Sequence, residues 1–85
     1  MAEAVVHVID DDEAMRDSLS YLLESTNIAV RTYESALEFL RQLDSIEAGC
    51  IVTDVRMPEM SGLELVRRLR EQGVDFPVIV MTGHA

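Results

Sequence analysis

The sequence predicts an α/β domain built on a parallel β-sheet, and three observations predict it. Four short apolar, β-branched runs are separated by longer mixed segments, those segments carry helical periodicity, and three of the four runs close on polar residues. The first run, Val5 to Ile9, reads as a strand. After it, Met15, Leu19, Leu22 and Leu23 form one stripe of an amphipathic helix. Ile28 to Tyr33 is the second strand, with Arg31 and Thr32 giving it a more exposed character. Ser35 followed three residues later by Glu38 is a capping box, opening a helix whose apolar face is Ala36, Phe39, Leu40 and Leu43. Cys50 to Val55 is the third strand. Ser61 and Glu64 form a second capping box, followed by Leu65, Val66 and Leu69, and Gly73 and Pro77 stop this third helix. Val78 to Thr82 is the fourth strand.

Runs one, three and four are nearly continuous in apolar residues rather than alternating, which is how strands covered by helices on both faces read. No linker, repeat or low-complexity segment interrupts the pattern, so residues 1–85 are one domain or part of one. After the fourth run only Gly83, His84 and Ala85 remain, leaving no helix for the following face and no strand for the outer edge. An exposed apolar edge invites self-association, so the expectation is a fragment or a chain that completes itself as a homodimer.

Composition narrows the function. Sixteen acidic residues against seven basic ones give a net charge of −9, which argues against direct binding to nucleic acid or an anionic membrane. All seven basic residues are Arg. The one cysteine, Cys50, excludes an intrachain disulfide framework and a Cys-based zinc cluster, and a reducing compartment follows as the default. No basic region precedes a long apolar stretch, and no run approaches the ~18 residues of a membrane span, so a soluble, cytoplasmic chain is expected.

Side chains that close successive parallel strands gather along one edge, where open α/β sheets bind ligands. The first run ends in Asp10, Asp11 and Asp12 followed by Glu13, the third carries Asp54, and the fourth closes on Thr82. If the first and third strands are neighbours, Asp10 or Asp11 lies close to Asp54. Carboxylates about 5 Å apart repel by about 3 kcal/mol per pair at an effective dielectric of ~20, so such a group calls for a cation. Oxygen ligands without His or Cys favour a hard ion, and Mg2+ suits a few carboxylates, a carbonyl and several waters. Asp54, alone between apolar residues and a turn, is the nucleophile candidate: a carboxylate attacks phosphorus without a general base. Asp10 and Asp11 then hold the metal, and the Thr82 hydroxyl donates to a phosphoryl oxygen. The plainer alternative makes Asp11 or Asp12 an N-cap, with Glu13 favourable in the first helical turn.

These residues resemble the receiver domain of two-component response regulators, of FixJ type. The resemblance runs through Val6 to Glu13, Ser35-Ala36 with Phe39-Leu40, Thr53 to Gly62 (Thr-Asp-Val-Arg-Met-Pro-Glu-Met-Ser-Gly), and Pro77 to His84. It implies a flavodoxin-like, doubly wound parallel sheet in the order 2-1-3-4, with the family's fifth strand and last two helices missing. It also implies that Asp54 is phosphorylated by a sensor histidine kinase, with Mg2+ held by Asp11, Asp54 and the Arg56 backbone carbonyl and Asp10 acting mainly through water. Thr82 is then the switch hydroxyl, and control of transcription passes through a DNA-binding domain of a longer parent. Such a module is not an enzyme beyond its own phosphorylation and dephosphorylation. The family's strand-five Lys and aromatic switch residue have no counterpart. The alternatives are a truncated receiver-like interaction or dimerisation module without phosphoryl turnover, and a haloacid-dehalogenase-type phosphatase built on Asp10-x-Asp12, which leaves the Asp54 block unexplained.

Several residues have simpler roles. Pro58 and Gly62 shape the turn after Asp54, Met57 and Met60 cover the site, Cys50 is a small buried hydrophobe, and His7 is packed inside a strand. His84 lies near the active edge. Ala14 and Ser18 are kinase contacts by family analogy.

Overall fold

Three short polar side chains start the three helices. In the computed structural model, which describes residues 5–46 and 49–81, the Asp12 carboxylate accepts from the Ala14 and Met15 N–H groups and opens α1 (Glu13–Glu24). Ser35 accepts from Glu38 N–H and opens α2 (Ala36–Arg41), and Ser61 accepts from Glu64 N–H and opens α3 (Gly62–Glu71). Each cap satisfies a donor that the first helical turn leaves unpaired.

The strands are β1 (Val5–Ile9), β2 (Ala29–Tyr33), β3 (Cys50–Asp54) and β4 (Val78–Met81), all parallel, in the order β2-β1-β3-β4. In register, Ile9 stands opposite Tyr33 and Thr53, and Asp54 opposite Met81. This is the sheet order the resemblance implies.

Element ends differ from the sequence expectation for identifiable reasons. Ile28 is excluded from β2 because its N–H bonds to Leu23 O while Asn27, at φ 64°, bonds to Glu24 O. This pair of bonds is a Schellman closure, normally made by glycine, and Gly73 at φ 78° makes the same closure after α3 with Val74 N–H bonded to Leu69 O. The second helix ends at Arg41, and Leu43 falls in a separate 3-10 turn (Leu43–Ser45) that still packs against the core. The third strand stops at Asp54 because the Val55 carbonyl turns to accept from Gly62 N–H.

Side chains alternate between the two faces of a sheet. The row of His7, Ile9, Tyr33 and Ile51 meets Ala36 and Phe39 from α2 and Leu65 and Leu69 from α3, and Ile9, Ile51, Phe39, Leu65 and Leu69 are fully buried. Phe39 packs edge-on to Tyr33 at 5.0 Å and to His7 at 5.7 Å between ring centroids. The His7 Nδ1 and the Tyr33 hydroxyl share a hydrogen bond of 2.9 Å, so His7 is packed and partnered as expected. Burial pushes the Tyr33 hydroxyl pKa up, with Arg31 opposing.

The opposite row is thinner. It runs through Val6 and Val8 to Asp10 in β1, through Cys50 and Val52 to Asp54 in β3, and through Ile79 and Met81 in β4. Helix α1 lies mainly over β1 and β2 and has no buried residue of its own. Run four is therefore not covered on both faces among the described residues: Ile79 is 56% exposed. Cys50 is half-buried rather than buried, because it belongs to the same row. No helix among the described residues is long and apolar enough to cross a membrane.

Candidate metal centre

The register that pairs β1 with β3 sets their C-terminal ends side by side, and the residues there are acidic. Asp10, Asp11 and Asp54 each bring one carboxylate oxygen within 4.8 Å of the others. Asp10 and Asp54 are each only 2% exposed, while Asp11 is exposed. Both Asp10 and Asp11 thus meet Asp54.

Backbone contacts fix this geometry. Asp10 N–H continues the sheet by donating to Tyr33 O at 3.2 Å, and the Asp10 carboxylate accepts from Asp12 N–H at 2.9 Å. The Asp54 carboxylate accepts from Arg56 N–H at 3.3 Å, which folds the exposed Arg56 back over the strand end. Val55 N–H bonds to Met81 O at 2.9 Å, and Val55 O accepts from Gly62 N–H at 3.1 Å. The close approach requires glycine: a Cβ on Gly62 would lie 2.3 Å from Asp54 O.

The electrostatics are strained in the direction a cation relieves. Burial raises the Asp10 pKa above the usual carboxylate range, the hydrogen bond from Asp12 N–H opposes it, and the charges of Asp54, Asp11 and Asp12 raise it further. Three oxygens and no His or Cys make a hard-cation donor set. Around an octahedral Mg2+ ion, ligand oxygens sit about 2.9 Å apart when adjacent and about 4.2 Å apart when opposite, so a cluster within 4.8 Å would hold the ion after closing in slightly or with a water taking one position. A groove of about 350 Å³ beside Asp11, walled by Glu34, Glu38, Arg41 and Glu59, opens this corner to solvent.

Other sequence expectations resolve as follows. Asp12, not Asp11, is the N-cap, which separates the helix-starting acid from the clustered ones. Met60 is buried in the core beneath the loop, and Met57 packs against that core, its sulfur 4.0 Å from the Thr53 hydroxyl. Ala14 and Ser18 are exposed on α1. Thr82 and His84 lie outside the described residues. Two features escape sequence reasoning. Glu59 takes a left-handed φ of 70°, and Arg16 reaches back from α1 to donate to Asp10 O at 2.7 Å.

Residues 6–85 match the family described as the response regulator receiver domain. The chain belongs to that family. The receiver is 57% identical over 79 residues to the transcriptional regulatory protein FixJ of Azorhizobium caulinodans, covering 93% of this chain and 37% of that protein. It is 43% identical to the response regulator protein TmoT of Ectopseudomonas mendocina, covering 96% of this chain and 37% of that protein. It therefore spans little more than a third of the length of these relatives. Among solved structures, the FixJ-N crystal structure superposes with a TM-score of 0.91 at 42% identity, over 100% of this chain and 68% of that one. The chemotaxis protein CheY4 of Vibrio cholerae does so with a TM-score of 0.88 at 29% identity, over 99% and 72%. The receiver is of FixJ type.

Proposed function

We propose that residues 1–85 form the phosphoryl-accepting receiver of a two-component system, with Asp54 as acceptor. The observation that carries this is the meeting of Asp10, Asp11 and Asp54 at the C-terminal edge of a parallel sheet, two of the three acids buried. Asp10, Asp11 and Asp54, with the Arg56 carbonyl, would hold Mg2+, which when bound neutralises charge on an incoming phosphoryl group.

The chain's own residues do the rest. An Asp54 carboxylate oxygen forms the new bond to phosphorus while the bond from phosphorus to the donor imidazole nitrogen of a sensor histidine kinase breaks, its electron pair leaving with the nitrogen. Asp54 is held for this by Arg56 N–H and by its place at the end of β3. The product carries about −1.5 to −2 charge and three acceptor oxygens, enough to bias a loop between two positions. Thr82 is the hydroxyl that meets those oxygens. The surface is too acidic to bind nucleic acid directly, so control of transcription is exerted by an output domain of the parent protein. The site works in the cytoplasm, is not an enzyme acting on other substrates, and contacts its kinase through the exposed start of α1.

Incubation of the chain with Mg2+ and acetyl phosphate, followed by intact-mass measurement, tests the proposal. One phosphoryl adduct per chain, lost in Asp54→Asn, is expected. No adduct despite Mg2+ uptake would leave an interaction module, and multiple-turnover phosphate release dependent on Asp10 would make the protein a hydrolase.

A further inference from the structure

Asp11 is the exposed member of the acidic cluster, so its place depends on the backbone turn that carries it from Asp10 to Asp12. That turn is held at both ends. Asp12 N–H bonds to the Asp10 carboxylate, and the Asp12 side chain caps α1. A further polar group of the turn is the Asp10 carbonyl. It lies beyond the last paired position of β1, on a residue only 2% exposed, and a buried carbonyl needs a donor.

Arg16 supplies the donor. Its guanidinium comes from the first turn of α1 and donates to Asp10 O at 2.7 Å, the length of a charge-assisted bond. The choice of partner is informative. Arg16 stands among Asp11, Asp12, Glu13 and Asp17 in sequence, yet it forms no ion pair within 4.0 Å among the described residues. The ion pairs of the described residues are helix-surface pairs on α2 and α3, those of Arg41, Arg67 and Arg68. Arg16 is instead a clasp across the loop, linking the end of β1 to α1 over six residues.

We propose that Arg16 is a positioning residue for the cation site: by clasping the Asp10 carbonyl it fixes the β1–α1 turn, and so holds the Asp10 and Asp11 carboxylates where they meet Asp54. The inference rests on the reading of Asp10, Asp11 and Asp54 as a cation site.

The two effects of removing Arg16 have opposite signs, which makes the role measurable. As a mere surface charge, Arg16 repels a cation, and its loss should tighten binding as the net charge goes from −9 to −10. As a clasp, its loss should weaken binding. In titration calorimetry with Mg2+ at a temperature well below melting, Arg16→Met is expected to bind about tenfold more weakly, the lower end of what loss of a group that orients metal ligands costs. Arg16→Lys, which keeps the charge and one donor, is expected to fall between the two and guards against a variant that does not fold. A metal-free measurement accompanies it: hydrogen exchange of the Asp12 amide should accelerate in Arg16→Met and much less in Arg16→Lys. Equal or tighter Mg2+ binding by Arg16→Met, or a lowered melting temperature with unchanged affinity and unchanged Asp12 exchange, would overturn the proposal. If the unmodified chain takes up no Mg2+, the cation reading fails, and the Asp12 exchange still reports separately whether the clasp holds the turn.

Discussion

The two faces of the sheet have similar apolar sequences and very different packing. On the α2–α3 face, Ile9, Ile51, Phe39, Leu65 and Leu69 interlock with no exposed surface. On the other face, α1 lies mainly over β1 and β2, and Leu22 and Ile79 remain 62% and 56% exposed. Apolar character alone therefore does not locate the core. The candidate site also belongs to the looser side: Asp10 continues the row of Val6 and Val8, and Asp54 the row of Val52. One face carries the packing, and the carboxylates grow from the edge of the other.

Truncating Phe39 tests this contrast most severely. Phe39→Ala removes the ring packed on Tyr33 and His7 and should cost about 3–5 kcal/mol, a large part of the stability of so short a chain, as read from urea unfolding. Gly62→Ala should cost about 1–3 kcal/mol, because the obstacle to its Cβ is the Asp54 backbone, which cannot rotate away. Its loss should also reduce Mg2+ uptake, since the strain falls on the acceptor strand.

Asp10→Asn probes the looser row, with the opposite sign. Because the folded-state pKa of Asp10 is raised, the folded chain binds its proton more tightly than the unfolded chain. That contribution is fully present below the ordinary carboxylate pKa and is lost as pH rises through the raised value. Without Mg2+, Asp10→Asn should therefore match the unmodified chain in acid and become the more stable of the two at neutral pH, first because a buried charge is removed and second because repulsion from Asp54, Asp11 and Asp12 is relieved. Saturating Mg2+ should narrow or reverse the gap, since only the intact cluster gains binding energy. Chemical unfolding at several pH values, with and without the ion, reads both. The smallest effect is expected at Leu22: Leu22→Ser should change stability by within about 0.5 kcal/mol, and a loss near that of Phe39→Ala would break the distinction between the faces.

Much of this architecture is legible in the sequence because it is local. The boxes at Ser35 and Ser61 span three residues and announce their helices, and the acids after β1 and at the end of β3 converge once a parallel sheet sets those two strands side by side. What is not legible depends on tertiary placement. The pairing of His7 with Tyr33 requires the β1–β2 register, and the Arg16 clasp requires the first turn of α1 to sit over the end of β1. Asn27 closes α1 as glycine would, but an isolated Asn reads as easily as a surface turn. The half-cover of the α1 face is hidden for a related reason: the stripe Met15, Leu19, Leu22 and Leu23 looks complete, while only its three-dimensional position shows that the helix lies mainly over β1 and β2 and leaves Leu22 exposed.

Val55 has a mechanical consequence. Its N–H is tied to Met81 and its carbonyl to Gly62, so the residue following Asp54 is a junction where the fourth strand and the start of α3 are knotted together. Hydrogen bonds tolerate stretching of only a few tenths of an ångström. Any larger excursion of Asp54 must tow one of those neighbours along or snap its tether.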